Sequence, residues 1–203
     1  MAKTMTPSES ITAGQIGKIQ EILGAGLRKS GFQSEPVQMV LETQGDSLVI
    51  ELVAVIRKRV EMVSNIITRH VVIDRSRTPQ EMITLTGRVK WYIDPVVLAE
   101  MPRDGFDEGK VEIFELDYDV SVDQLDNEYE SGHRVQDPYA VFQALIDDPT
   151  LADERPIAVQ WRDKRDRACC ALFRRFGGGR EVHVSWRDSF RWLRHYRFAG
   201  SRK

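Results

Sequence analysis

From Val182 to Phe198 the chain alternates with a period of two, and this alternation restricts the fold more than any other feature of the sequence. The even positions read Val182, Val184, Trp186, Asp188, Phe190, Trp192, Arg194, Tyr196 and Phe198. The odd positions read His183, Ser185, Arg187, Ser189, Arg191, Leu193, His195 and Arg197. Successive side chains of an extended strand point to opposite faces. One face of this stretch is therefore mostly apolar and the other almost wholly polar and basic. The expected outcome is a sheet that buries the aromatic residues and turns the odd-numbered residues outward.

The two-residue period begins at Pro156. Ile157–Trp161, Ala168–Phe173, Arg180–Trp186 and Arg191–Phe198 read as four strands, and residues 158–203 as a C-terminal antiparallel sheet. Arg162–Asp166 and Gly177–Gly179 supply turns. The two cysteines, Cys169 and Cys170, are adjacent within one of these strands. Strand neighbours face opposite ways, so the pair reads as two small buried hydrophobes, neither a disulfide nor a metal site.

Upstream the signals are helical. Residues 1–11 carry no apolar period and read as a disordered N-terminus. Thr12 and Gln15 form a capping box, followed by the stripe Ile16, Ile19, Leu23, Leu27 and a stop at Gly31. A second helix is expected from Glu35-Pro36 to Gly45. A third, Ser47–Ser64, is apolar nearly all round its first half and then carries Arg57-Lys58-Arg59, read as a basic helix end facing the negative pole of the dipole. Residues 12–64 are thus a helical segment, and residues 65–203 an α+β domain. Within that domain Ile66–Ile73, Lys90–Ile93 and Lys110–Leu116 read as strands. Helices are expected after Thr78-Pro79-Gln80-Glu81, Asp94-Pro95, Ser121 with Gln124, and Asp137-Pro138. The last of these presents Tyr139, Phe142, Leu145 and Ile146 to a core. The expected class is α+β: a helical N-terminal portion, then a mixed portion ending in an antiparallel sheet.

The formal net charge of −2 conceals a polarised chain. Residues 1–90 hold 12 Lys+Arg against 9 Asp+Glu, residues 91–157 hold 4 against 18, and residues 158–203 hold 13 against 4. An acidic middle and a basic end attract each other within a fold. The basic, aromatic-rich end is also raw material for an anionic partner, nucleic acid included. Its aromatics and arginines nevertheless sort to opposite faces of the strand, which favours a protein or small-molecule ligand over a stacked base. No nucleophile elbow, phosphate loop or dinucleotide fingerprint is present, so nothing in the residues points to an enzyme, and no cofactor is indicated. His70, His133, His183 and His195 lack metal-ligand spacing, and Asp117, Asp119 and Asp123 lack the glycine and glutamate of a calcium loop. His183 and His195 share the polar parity of the C-terminal segment and are expected on one face. No apolar run reaches the roughly 18 residues of a membrane span, and no apolar stretch follows the first lysine as in a signal peptide. The expected compartment is the cytoplasm, with no membrane partner.

The segments IDRSRTPQEMITLTGR, LDNEYESGHRVQDPYAVFQA, DDPTLADERP, VQWRDKRDRACCALFRRF and RFAGSRK resemble an uncharacterised family of small proteins from candidate-phylum bacteria. The resemblance carries no activity and no catalytic residue. It implies a fixed tail frame, a tryptophan followed by a closing Trp/Tyr-x-Phe-Ala-Gly, with freely changing residues between. In this respect the tail resembles the variable proteins of diversity-generating retroelements, whose diversified residues lie on a C-type-lectin-like fold. The corresponding residues here are His183, Ser185, Arg187, Ser189, Arg191, Leu193 and His195, which the resemblance implies contact a ligand. The Gly-Gly-Ser-Trp type motifs of the usual lectin-like members are absent, and this tail is basic where relatives are often acidic or neutral.

Overall fold

The structure, a computed structural model, describes residues 11–187 and 191–202. The expected disorder of residues 1–11 falls, except for Ile11, outside the described residues. The chain divides into two compact units, one ending at Arg57 and the other beginning at Lys58.

The first unit is helical. Helix α1 (Ala13–Lys29) starts at the capping box, in which the Thr12 hydroxyl accepts from the Gln15 amide while the Gln15 side chain accepts from the Thr12 amide. Helix α2 (Ser34–Ser64) is continuous, where two helices broken at Gly45 were expected. A mid-helix glycine costs about 1 kcal/mol relative to alanine. That is too little to stop a helix which gains a hydrogen bond with each added residue. The basic triplet Arg57–Arg59 accordingly lies inside the helix, and the last turn holds no basic residue. Neither helix has a buried residue.

The second unit is a mixed eight-stranded sheet with helices on it. Its elements run β1 (Ile66–Val72), α3 (Pro79–Leu85), β2 (Val89–Ile93), α4 (Pro95–Ala99), β3 (Glu108–Glu115), α5 (Val122–Ser131), β4 (Arg134–Val135), α6 (Pro138–Asp147), β5 (Ile157–Arg162), β6 (Ala168–Phe176), β7 (Gly179–Trp186) and β8 (Arg197–Arg202). The strand order is β1-β3-β8-β5-β6-β7-β2, with β4 also on β8. The expected antiparallel pairing holds through β5, β6 and β7. Strand β8 leaves that meander and pairs with β5 in parallel, and β2 joins β7 in parallel at the opposite edge. The chain is α+β, and none of its described helices is long and apolar enough to cross a membrane.

Both faces of the sheet bury apolar residues. One packs Cys169, Ala171, Phe173, Val182 and Val184 against Met82, Ile83, Val97, Phe142 and Leu145 from α3, α4 and α6. The other packs Ala158, Cys170, Leu172 and Phe198 against Leu125 and Tyr129 of α5 and against Trp192. Cys169 and Cys170 thus serve opposite faces, both are buried, and neither forms a disulfide. Gly200 permits a close approach in β8: a Cβ there would sit 2.6 Å from the Val135 carbonyl and 2.8 Å from the Tyr129 ring.

The strand expected at Arg191–Phe198 is displaced. Residues 191–196 form a loop, and the strand runs from Arg197 to Arg202. Trp192 makes an isolated bridge to Val120, with N···O distances of 2.9 and 2.7 Å. Tyr196 N then donates to Leu193 O across a turn, and Arg194 N donates to Asp119 Oδ1 at 2.8 Å. One aromatic plug between polar neighbours mimics the strand period without being a strand.

The charge polarity is resolved internally. Among the described residues seven ion pairs join residues 91–157 to residues 158–203: Arg162 to Asp123 and Asp126, Lys164 to Glu100, Arg175 and Arg180 to Asp153, Arg197 to Glu115, and Arg202 to Glu112. Glu112 is buried and also pairs with Arg134 at 3.0 Å, so two guanidinium groups flank one carboxylate.

Candidate functional site

The C-terminal positions singled out by parity occupy two adjoining pieces of chain. His183 and Ser185 lie on β7, on the face opposite Val182 and Val184, both of which are fully buried. In the ladder His183 pairs with Leu172 and Ser185 with Cys170. Arg187 follows the strand, and its guanidinium lies 4.0 Å over the Trp192 ring while Nη2 donates to the Arg191 carbonyl at 3.2 Å. Ser189 lies outside the described residues, as do Asp188 and Phe190. Arg191, Leu193 and His195 are exposed on the loop. His195 rests on the Tyr196 ring at 4.3 Å, whereas His183 stacks beside Trp91 and Tyr92. Alternation holds in β7 and ends beyond it: Arg194, an even position, is exposed, while Phe198 through Ser201 are all buried.

Beneath this surface Trp192 is 1% exposed. Its indole Nε1 donates to Gln160 Oε1 at 3.0 Å, and its ring meets Tyr196 and Phe198 edge-on. Gln160, also buried, donates through Nε2 to the Val122 carbonyl and to Asp126, which in turn accepts from Arg162. The polar end of the Trp192 slot is therefore built from β5 and α5, while the Arg187 guanidinium covers the ring.

The parallel pairing of β2 with β7 supplies residues that parity could not locate. A register irregularity between Lys90 and Tyr92 places two successive rings beside His183, as a β-bulge does when it re-aims side chains. Trp91 lies 4.8 Å and Tyr92 5.4 Å from the imidazole, centroid to centroid. Both rings remain about half exposed, at 53% and 51%. Arg174 of β6 lies 4.0 Å over Trp91 and 4.7 Å over Phe176, and its Nε donates to Glu181 at 2.9 Å. The outer face of this sheet edge thus offers Trp91, Tyr92, Phe176, Arg174, His183 and Ser185 together. The one sequence signal for it was the adjacent pair Trp91-Tyr92, which a strict two-residue period cannot bury on one side.

Burial and electrostatics favour the neutral form of His183. Burial and the nearby Arg174 and Arg187 cations push its pKa below the usual histidine value. Its Nε2 lies 2.7 Å from Ser185 Oγ, which donates onward to the Trp186 carbonyl at 3.2 Å. This chain assigns the proton to Nε2, and the buried Nδ1 has no partner among the described residues. Cys170 lies across from Ser185 in the ladder, its thiol pushed up to about 11 by burial. Among the described residues no group of three or more His, Cys, Asp or Glu is arranged to hold a metal ion. The arrangement can stack planar groups and donate forked hydrogen bonds through arginine. Compared with protein-family models, with curated proteins and with solved structures, the chain matches none of them.

Proposed function

We propose that the protein is a binding protein of the diversified type. Its ligand-contacting residues are His183, Ser185, Arg187, Ser189, Arg191, Leu193 and His195, presented to a protein or small-molecule ligand. One observation carries the reading: most of the bonds that fix the backbone of residues 191–196 come from outside those side chains, Arg187 on the Arg191 carbonyl and Arg191 on the Asp119 carbonyl being the exceptions. Trp192 fills its slot, Val120 bridges Trp192 through both backbone groups, and Asp119 accepts from the Arg194 amide. A surface held this way exchanges side chains without unfolding, which is what a diversified recognition surface requires. Arginine, serine and histidine suit such a surface because they hydrogen-bond adaptably. The C-type-lectin-like assignment and the retroelement rest on the resemblance alone. The reading places the protein in the cytoplasm.

The coding sequence tests diversification directly. The expected finding is a near-repeat of the tail differing at adenines, with a reverse transcriptase gene beside it; their absence sinks that part. The surface itself is tested by randomising the seven positions together in the full chain. Most clones should remain folded and resistant to protease, and a library that mostly unfolds overturns the reading.

The exposed rings of Trp91 and Tyr92 beside Arg174 favour one second reading, a single-stranded nucleic acid. Binding of a labelled oligonucleotide should then weaken steeply with salt and drop on Trp91→Ala. A flat log–log salt dependence rules it out.

A further inference from the structure

We infer that the tip of the β6–β7 hairpin binds a phosphate-class dianion, gripped by Arg175 and Arg180 and backed by the buried Arg88. The ladder sets Arg175 of β6 directly opposite Arg180 of β7. Directly opposed residues hold their Cβ atoms roughly 5 Å apart, and like charges placed so repel. Their shared counter-charge is Asp153, in the segment between α6 and β5. Arg180 forks onto it at 2.8 and 2.7 Å, whereas Arg175 reaches it only at 3.5 Å, through Nη1. The Nε and Nη2 of Arg175 have no acceptor among the described residues. Arg88, just before β2, is 6% exposed. Its guanidinium lies 5.7 Å over the Phe173 ring and donates to two carbonyls, Arg174 O at 3.3 Å and Pro149 O at 2.9 Å. Among the described residues no carboxylate pairs with it directly, and its buried Nε has no acceptor.

Three cations therefore act on one acid, which leaves an excess of two positive charges. The hydrogen bond from Arg180, with the fields of Arg180, Arg175 and Arg88, holds the Asp153 carboxyl below its usual range. Burial and the Arg180 cation push the Arg88 guanidinium down to about 10. Asp148 also acts on Arg180, but Arg69 already holds it at 3.4 Å. A guanidinium taken out of water is offset only by an anion in good geometry. A phosphate monoester or inorganic phosphate near neutral pH carries close to two negative charges and several acceptor oxygens. It matches the excess charge, and it accepts forked donors from two arginines at once. A single carboxylate would leave half of the excess unmet. The side chains of Arg175 and Arg180 are 53% and 36% exposed, so a ligand reaches both from solvent. Both lie on the face of Phe173 and Val182, opposite His183, so this site is separate from the proposed recognition surface.

Nuclear magnetic resonance of the arginine Nε–H groups in the full chain tests the inference. Inorganic phosphate and glycerol phosphate are titrated separately near neutral pH, with sodium chloride holding the ionic strength constant. The Arg175 and Arg180 signals should move together and saturate with a dissociation constant at or below about 1 mM. Arg175→Gln removes an exposed side chain with one long contact, so the fold is kept, and binding should weaken at least about tenfold. Asp153→Asn removes the acid that competes for Arg180 and should tighten binding, whereas a purely structural cluster gains nothing from it. Tighter binding of glycerol phosphate assigns the site to a phosphorylated molecule, and equal or weaker binding assigns it to free phosphate. A dissociation constant above about 1 mM for both compounds, a smaller loss in Arg175→Gln, or no gain in Asp153→Asn overturns the inference.

Discussion

Replacing Trp192 separates the frame of the proposed recognition surface from the side chains proposed to be exchangeable. Truncating a buried tryptophan to alanine costs about 3–5 kcal/mol in lost burial and residual cavity. Trp192 is buried, and its Nε1 also donates to Gln160 Oε1, itself buried between β5 and α5. Losing that donor adds about 1–3 kcal/mol. Trp192→Ala is therefore expected to cost about 4–8 kcal/mol, against a typical total stability of about 5–15 kcal/mol. At roughly 2–4 °C per kcal/mol the melting temperature falls by about 8–32 °C. Trp192→Phe keeps most of the ring and should lose only the hydrogen-bond share. Leu193→Ala and His195→Ala, on exposed neighbours, should stay within about 0.5 kcal/mol of the parent. Urea unfolding followed by far-ultraviolet circular dichroism reads all four, since fluorescence changes with the tryptophan itself. The reasoning fails if Trp192→Ala costs under about 1 kcal/mol, or if Leu193→Ala or His195→Ala costs as much as Trp192→Ala.

Glu112→Gln leaves Arg134 and Arg202 facing each other across a buried amide and should destabilise by about 3–5 kcal/mol in urea; a loss within experimental error would show that the carboxylate is dispensable. Both thiols are buried and that of Cys170 is pushed up to about 11, so neither should react with a disulfide reagent at pH 8 until guanidinium exposes them; labelling of the native protein would contradict the packing. The folded pKa of His183 lies below its unfolded value, so the unfolded chain binds the extra proton in the window below about pH 6.5. Stability from this group is present above that pH and is lost as pH falls through the folded pKa, and His183→Asn should remove that part of the acid dependence. Nuclear magnetic resonance of the ring gives the direct check, and a midpoint at or above 6.5 would contradict the neutral assignment.

What was legible in the sequence was local. Thr12, Thr78 and Ser121 each announced a helix because a hydroxyl and an amide or carboxyl three residues on satisfy the orphan amides of the first turn, and all three capping boxes are present. Cys169 and Cys170 could be sorted to opposite faces because a strand leaves no alternative. Gly45 misled because a glycine's cost is small beside helix propagation in a 31-residue helix. The end of the chain misled for a tertiary reason. Trp192 is held by Gln160, Val120 and Asp119 lies under the turn that follows, contacts 32 and more residues away along the chain. No local period encodes them.

The same non-locality decides what the recognition surface is made of. A parallel neighbour requires a crossover, so the strand beside β7 comes from residues 89–93, far from the C-terminal segment. The surface therefore has two halves of different origin. His183 and Ser185, with the loop after them, vary under the proposed diversification, whereas Trp91, Tyr92, Phe176 and Arg174 lie outside the variable segment and stay constant. A constant aromatic and arginine half beside an exchangeable half implies a shared chemistry in every ligand, a planar or anionic group met by the fixed rings and guanidinium, with selectivity set by the exchanged positions. The two readings then make opposite demands on one experiment. If nucleic acid is the ligand, Trp91→Ala abolishes binding and changes at 191, 193 and 195 alter it little. If the surface is diversified, changes at those loop positions switch the ligand, while Trp91→Ala weakens every variant by a similar factor.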